Sequence, residues 1–264
     1  MKKGPGLFSD FGKKAKDLLN KDYTSDQKFT ISSSSYTGLA LVSNIVNKGG
    51  LSSGDVAAQY KHQNAVVDFK LDTESNIYIH LQKQWLPDYN SGKLEVQNFH
   101  EHATVATAVG LKKSPAVDFS ATIGTPGIAF GAEASYVTSS GEFTKYNAGV
   151  NMTKPDSNAS VVLADKGDSL KVSYLHHLNQ LNGGAVVGEI ARKFSTNENT
   201  LTVGCSYLVD PHTLVKAKLN NHGNLGALVQ HELRPKSFLT ISGAFDTKAL
   251  EKTPKFGLAL SLKP

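Results

Sequence analysis

The chain has 264 residues, with 28 Lys+Arg against 23 Asp+Glu, a formal net charge of +5, 39% hydrophobic residues and only 19% charged ones. Its 9 Tyr and 12 Phe, spread through a sequence rich in Val, Thr and Ser, exclude disorder and favour ordered β structure. No stretch approaches the roughly 20 consecutive apolar residues of a membrane-spanning helix, and the single cysteine, Cys205, allows neither an internal disulfide nor a cysteine zinc framework.

The N-terminus begins with Lys2 and Lys3 but has no continuous apolar run and no small-residue cleavage site, so it does not read as a secretory signal. Gly4 and Gly6 flank Pro5 and break any helix there, which makes them candidate hinges. Beyond them Leu7, Phe8, Phe11, Ala15, Leu18 and Leu19 recur at helical spacing, with Lys13, Lys14, Lys16 and Asp17 opposite. One short, basic, amphipathic helix capped by Ser9 or Asp10 is expected, within a segment spanning residues 1–22.

From about Lys28 onward the period is two. Val117, Phe119, Ala121 and Ile123 alternate with Asp118, Ser120 and Thr122, and Leu201, Val203, Cys205 and Tyr207 alternate with Thr202, Gly204 and Ser206. The same pattern sets Val215, Ala217 and Leu219 against Lys216, Lys218 and Asn220, and Phe256, Leu258, Leu260 and Leu262 against Gly257, Ala259 and Ser261. Turn signals such as Thr125 to Gly127, Asp165 to Asp168, Asp210 with Pro211, and Asn221 to Gly223 punctuate about 18 strand segments. An open sheet rarely exceeds about 10 strands, so residues 23–264 are expected to close into an up-and-down barrel. At this strand number the interior is too wide for side chains to fill. The polar residues then face a wet lumen and the apolar residues face lipid.

The C-terminal third reads Tyr207, Asp210, Pro211, Thr213, Ala217, Lys218, Leu219, Asn220, Asn221, then Gly226, Ala227 and Val229. This resembles the signature of the eukaryotic mitochondrial porins, the voltage-dependent anion channels. The likeness extends to the Lys-Gly-Pro-Gly-Leu start, the Gly110-Leu111-Lys112 tripeptide and the hairpin from Gln230 to Ser237, with details most like plant members. It implies an all-β, transmembrane up-and-down antiparallel β-barrel of about 18–19 strands, with the N-terminal amphipathic α-helix in the pore. The implied function is voltage-dependent, weakly anion-selective, passive diffusion of ATP, ADP, phosphate and organic anions across the mitochondrial outer membrane. No cofactor is implied. The implied partners are membrane lipids, the permeating anions and nucleotides, cytosolic kinases and further copies of the chain.

The sequence departs from the family between residues 74 and 92, where Ile77 to Trp85 leave room for one strand instead of two and about a dozen residues are missing. Losing one strand makes an odd barrel even, which would let the first and last strands pair antiparallel.

A wide pore needs fixed charge where ions pass, not a catalytic constellation. Helix lysines Lys13, Lys14 and Lys16, with Lys28, Lys171, Lys216 and Lys218 placed inward by strand parity, supply a positive excess that Asp68, Glu95 and Asp118 partly offset. Such an excess gives a modest anion preference. Asp10-Phe11-Gly12 copies a kinase magnesium tripeptide but has no catalytic-loop sequence before it. His100, His102, His176 and His177 come without a recognisable metal-ligand set, and no basic run or aromatic platform suggests nucleic acid. Cys205 falls on the lipid face. No nucleophile–base pair or phosphate-binding loop is present, so no enzyme is expected. Two rival readings are a protein-import-type barrel and a non-conducting barrel that scaffolds partners.

Overall fold

In the computed structural model the described residues are 4–35, 39–48, 51–62, 65–73, 77–82, 92–111, 115–178, 183–249, 251 and 254–263. Eighteen strands are present among them. The first nine are β1 (Gln27–Ser34), β2 (Leu39–Lys48), β3 (Leu51–His62), β4 (Ala65–Asp72), β5 (Ile77–Gln82), β6 (Gly92–Phe99), β7 (Ala103–Leu111), β8 (Ala116–Gly124) and β9 (Ile128–Val137). The rest are β10 (Glu142–Thr153), β11 (Ser157–Ala164), β12 (Ser169–Leu178), β13 (Gly184–Lys193), β14 (Glu198–Asp210), β15 (Thr213–Asn220), β16 (Asn224–Arg234), β17 (Ser237–Asp246) and β18 (Lys255–Leu262).

Each strand pairs with the next in sequence, and the ladder returns on itself where β1 meets β18. That last junction is parallel, running from Gln27 opposite Leu258 to Ile31 opposite Leu262. A second parallel junction joins β5 to β6 through His80 opposite Lys93, Leu81 opposite Leu94 and Gln82 opposite Glu95. All other neighbours are antiparallel. The antiparallel closure expected of an even barrel is therefore corrected. An even ring closes with no parallel junction or with two, and this chain has two. One of the two falls at the short segment, and from β6 to β18 every neighbour in sequence is antiparallel. Residues 83–91, including Trp85, lie outside the described residues.

The alternation decides the two faces. Outward Phe130 and Ile190 are each 52% exposed, and Leu201, Val203, Cys205 and Tyr207 are exposed on the same side, while Thr122, Asn158, Ser160 and Ser173 are buried on the inner side. A single-layered wall has nothing to cover its outer apolar side except lipid. Outer aromatic rings meet across strands, Tyr136 with Phe143 at 5.3 Å and Phe245 with Phe256 at 5.8 Å. No described helix is long and apolar enough to cross a membrane, so any crossing is made by the strands.

The expected single helix is broken in two. A 3-10 turn over Phe8–Asp10 precedes α1 (Lys13–Asn20), and Gly12 between them lies in the left-handed region at φ 66°. The helical ladder starts at Gly12, whose carbonyl accepts from the Lys16 amide at 2.9 Å. Neither Ser9 nor Asp10 caps α1; the Asp10 carboxylate instead accepts from the Leu7 amide at 3.4 Å. Ala15, Leu18 and Leu19 form one buried cluster with Leu175, Ala185 and Val187 of β12 and β13. These three inward apolar positions depart from the polar-in rule, and they do so where the helix lies.

Candidate functional site

The N-terminal segment crosses the inner wall as a belt. Gly4 lies against the carbonyl of His100, and the Gly6 carbonyl accepts from the Thr122 hydroxyl of β8. Further along, Gly12 faces Ser160 of β11, and α1 rests on β12 to β15. Thr24 then exchanges two hydrogen bonds with Ser242 of β17, whose hydroxyl donates to the Thr24 carbonyl at 2.6 Å and accepts its amide at 3.2 Å. The two candidate hinges, Gly4 and Gly6, are thus seated on the wall at the start of this belt.

The wall is cut to fit. A Cβ at Gly131 would stand 2.8 Å from the Phe8 ring, at Gly204 2.7 Å from Leu19 Cδ2, and at Gly257 it would overlap the Thr24 backbone. These contacts are closer than real Cβ atoms make, so a side chain at any of the three would force the belt or the wall to shift, most severely at Gly257, where the neighbour is backbone. The sequence reading missed this group; the available signal was glycine recurring at the inward parity of different strands.

The inward lysines divide by what holds them. On α1, Lys13, Lys14 and Lys16 are exposed on the side away from the buried cluster, Lys13 lying 3.6 Å from Asp10. Lys28 of β1 is exposed at an inward position. Lys171 pairs with Glu189 at 3.4 Å. Lys216 is buried, 3.6 Å from Asp22 and 3.5 Å from the Lys21 carbonyl that its ammonium donates to. Lys218 donates to Asn20 Oδ1 at 3.5 Å and lies 4.3 Å above the Tyr23 ring, whose hydroxyl is buried with no hydrogen-bond partner among the described residues. Lys216 and Lys218, expected as lumenal charges, are therefore engaged as a clasp on the C-terminal end of α1, where cations complement the helix dipole.

Of the expected acidic offsets, Asp118 accepts from Ser135 at 2.6 Å, while the side chains of Asp68 and Glu95 lie outside the described residues. An unanticipated lumenal group joins Lys145 to Glu133 at 2.6 Å and Asn147 to the same carboxylate at 2.6 Å; the parity of β10 would have found it.

The signature residues build two turns and the strand that clasps the helix. Asp210 and Pro211 turn β14 into β15, and Thr213 lies 2.9 Å from His231 Nδ1. Asn220 accepts the amides of His222 at 3.1 Å and Asn224 at 2.9 Å, closing the next turn. Asn221 ties that turn to β14, accepting from the Leu201 amide at 3.2 Å and donating to the Asn199 carbonyl at 2.9 Å. Gly226 lies under Tyr23, while Tyr207, Ala217, Leu219, Ala227 and Val229 face outward.

The family model described as eukaryotic porin matches residues 4–257. The chain is 58% identical over 276 aligned positions to the mitochondrial outer membrane protein porin 2 of Arabidopsis thaliana, covering 100% of both chains. It is also 58% identical to the mitochondrial outer membrane protein porin 5 of Oryza sativa subsp. japonica, over 99% of each. An alignment of 276 positions on a chain of 264 residues leaves at least 12 positions with no counterpart here (276 − 264), which agrees with the missing dozen. Among solved structures a triple mutant of the Rhodopseudomonas blastica porin matches with a TM-score of 0.53 at 9% identity, over 82% of this chain and 89% of the other. That likeness bears on fold alone.

Proposed function

The chain belongs to the eukaryotic porin family, and from that premise we propose how its residues serve a voltage-dependent, weakly anion-selective channel for small metabolites in the mitochondrial outer membrane. The exposed ammonium groups of Lys13, Lys14 and Lys16, with Lys28, set the anion preference. Lys216 and Lys218 hold α1 in place, and Lys171 is offset by Glu189. Residues 1–22 act as one unit seated in a wall formed by residues 23–264, with Gly4 and Gly6 allowing its first turn to move.

One observation carries the reading: three lysines in four consecutive positions lie on the exposed side of a helix packed against the inner wall. Their potential adds within a low-dielectric tube and raises the local anion concentration. Membrane lipid and further copies of the chain suit the exposed apolar belt. Cytosolic kinases are partners that the family resemblance implies.

The test is the reversal potential of single channels in a planar bilayer under a salt gradient. Replacing Lys13, Lys14 and Lys16 by Gln is expected to move it toward the cation value. The single change Lys171→Gln is expected to move it less than any one of the three. An unchanged potential in the triple variant would assign selectivity elsewhere.

A further inference from the structure

The chain uses its two kinds of fixed cation differently. Of its 28 basic residues only two are arginines, Arg192 and Arg234, and the lumenal cations Lys28, Lys145, Lys171, Lys216 and Lys218 are all lysines. Arg192 shares the outward parity of Val186 and Ile190 on β13 and is exposed. Along β12, β13 and β14 it is the one fixed charge at an outward position.

Its level on the wall is a boundary. One outward step earlier, Val172, Ile190 and Leu201 stand side by side as part of the apolar band, all exposed. At the height of Arg192 its neighbours are Leu170 and Asn199, and the next residues form the turn from Phe194 to Asn197. The aliphatic stem of Arg192 can therefore lie along the apolar band while its charge sits where hydrocarbon gives way to headgroups.

The guanidinium is held but not neutralised. Its Nη2 donates to Asn197 Oδ1 at 3.0 Å, and its carbon lies 5.6 Å from the centre of the Phe194 ring. No carboxylate among the described residues pairs with it, so most of its N–H donors are left for an outside acceptor. The turn that carries Phe194 and Asn197 is itself pinned. The Phe194 amide donates to the Asp168 carbonyl at 2.8 Å, and the Asp168 carboxylate accepts from the Ser195 amide at 2.7 Å and hydroxyl at 2.6 Å. Asp168 is thereby spent on the turn, and Glu198 has inward parity, opposite Lys193.

We propose that Arg192, oriented by Phe194 and Asn197, seats the phosphate diester of an anionic phospholipid on the outer rim of the wall. A guanidinium offers paired N–H donors that match the two free oxygens of a phosphate diester, and it is less strongly hydrated than an ammonium, which suits a half-dry boundary. A zwitterionic headgroup brings its own ammonium toward the guanidinium, so the anionic lipid is preferred. The inference rests on the outer wall facing lipid and goes beyond the channel reading.

The experiment uses full-length protein refolded in detergent, with native mass spectrometry counting the lipids retained as dioleoylphosphatidylglycerol is added. The unaltered chain is expected to hold its first lipid roughly ten-fold more tightly than R192Q does, and more tightly than it holds dioleoylphosphatidylcholine. K193Q removes the same charge one residue away on the lumenal face and is expected to leave lipid binding unchanged. R192K keeps the charge but loses the planar fork, and its affinity is expected to fall between those of the unaltered chain and R192Q; should R192Q fail to fold, R192K carries the test. Inorganic phosphate in excess is expected not to displace the lipid, because it lacks the acyl chains that anchor a headgroup at the rim. Undiminished binding in the Arg192 variants, an equal loss in K193Q, equal retention of the two lipids, or displacement by inorganic phosphate would overturn the proposal and leave the channel reading intact.

Discussion

Lys216 and the lysines of α1 have the same charge and different surroundings, which separates their effects. Lys216 is buried against Asp22 and a helix-terminal carbonyl, and Lys216→Met leaves Asp22 without its partner at the end of α1. Asp22 is partly solvated, so the expected cost is about 2 kcal/mol, below that of breaking a fully buried pair. Thermal unfolding in detergent measures it, and a change at Lys14 is expected to leave the midpoint where it is. Gly204→Val is a second residue-scale case: its branched side chain would enter the space of Leu19 Cδ2, at a cost of about 1–3 kcal/mol. Asp168 gives a pH dependence. Its carboxylate accepts from the Ser195 amide at 2.7 Å and hydroxyl at 2.6 Å, and these bonds hold it below the usual carboxylate range. A lowered folded value means that the contribution is present above the unfolded value of about 3.9 and is lost as pH falls through the folded one. Exchange of the Ser195 amide is expected to quicken over that acid range, and Asp168→Ala to show the quick rate already at neutral pH.

At the scale of the element, the belt depends on a break that composition does not announce. The apolar residues from Leu7 to Leu19 fit one helical stripe, yet Gly12 reverses its φ so that the 3-10 turn and α1 can follow the curve of the wall. Gly12→Ala is strained in that region by roughly 1–2 kcal/mol, and its methyl would also press on Ser160. The expected outcome is a first turn detached from β8 and β9, measured as faster proteolysis near Phe8 with the barrel intact. The residues that the helix buries were legible from their spacing, because amphipathicity is local. Their partners Leu175, Ala185 and Val187 were not, because parity alone assigns inward positions to water and nothing local to β12 or β13 says that a helix covers them. The clasp was half legible: parity turned Lys216 and Lys218 inward, and only the folded chain brought Asn20, Lys21, Asp22 and Tyr23 to meet them.

At the scale of the whole molecule, two parallel junctions hold an even barrel together. Among the described residues the β5–β6 ladder has three residue pairs, against five at β1–β18. Fewer ladder pairs hold a seam less firmly, and an opened backbone group is costly in lipid, so this is expected to be the seam that exchanges fastest. Cross-linking checks the register. With Cys205→Ser as background, the pair Leu81→Cys and Leu94→Cys, and separately Phe29→Cys and Leu260→Cys, are expected to join through a short bifunctional thiol reagent, seen as a gel-mobility change. Failure of the first pair with success of the second would place the parity change somewhere other than β5–β6.

The sequence by itself determined the meander of strands, the inward and outward faces, the position of Cys205 on the outer side and the family, because period-two alternation and turn residues are written within a few positions of each other; it left the strand number at 18 or 19. Tertiary structure decided the direction of closure, the break at Gly12, the glycines under the belt and the diversion of Lys216 and Lys218 from the lumen to the helix. Each of these depends on residues far apart in the chain meeting at one height of the wall, and that height is set by the registers of the strands between them.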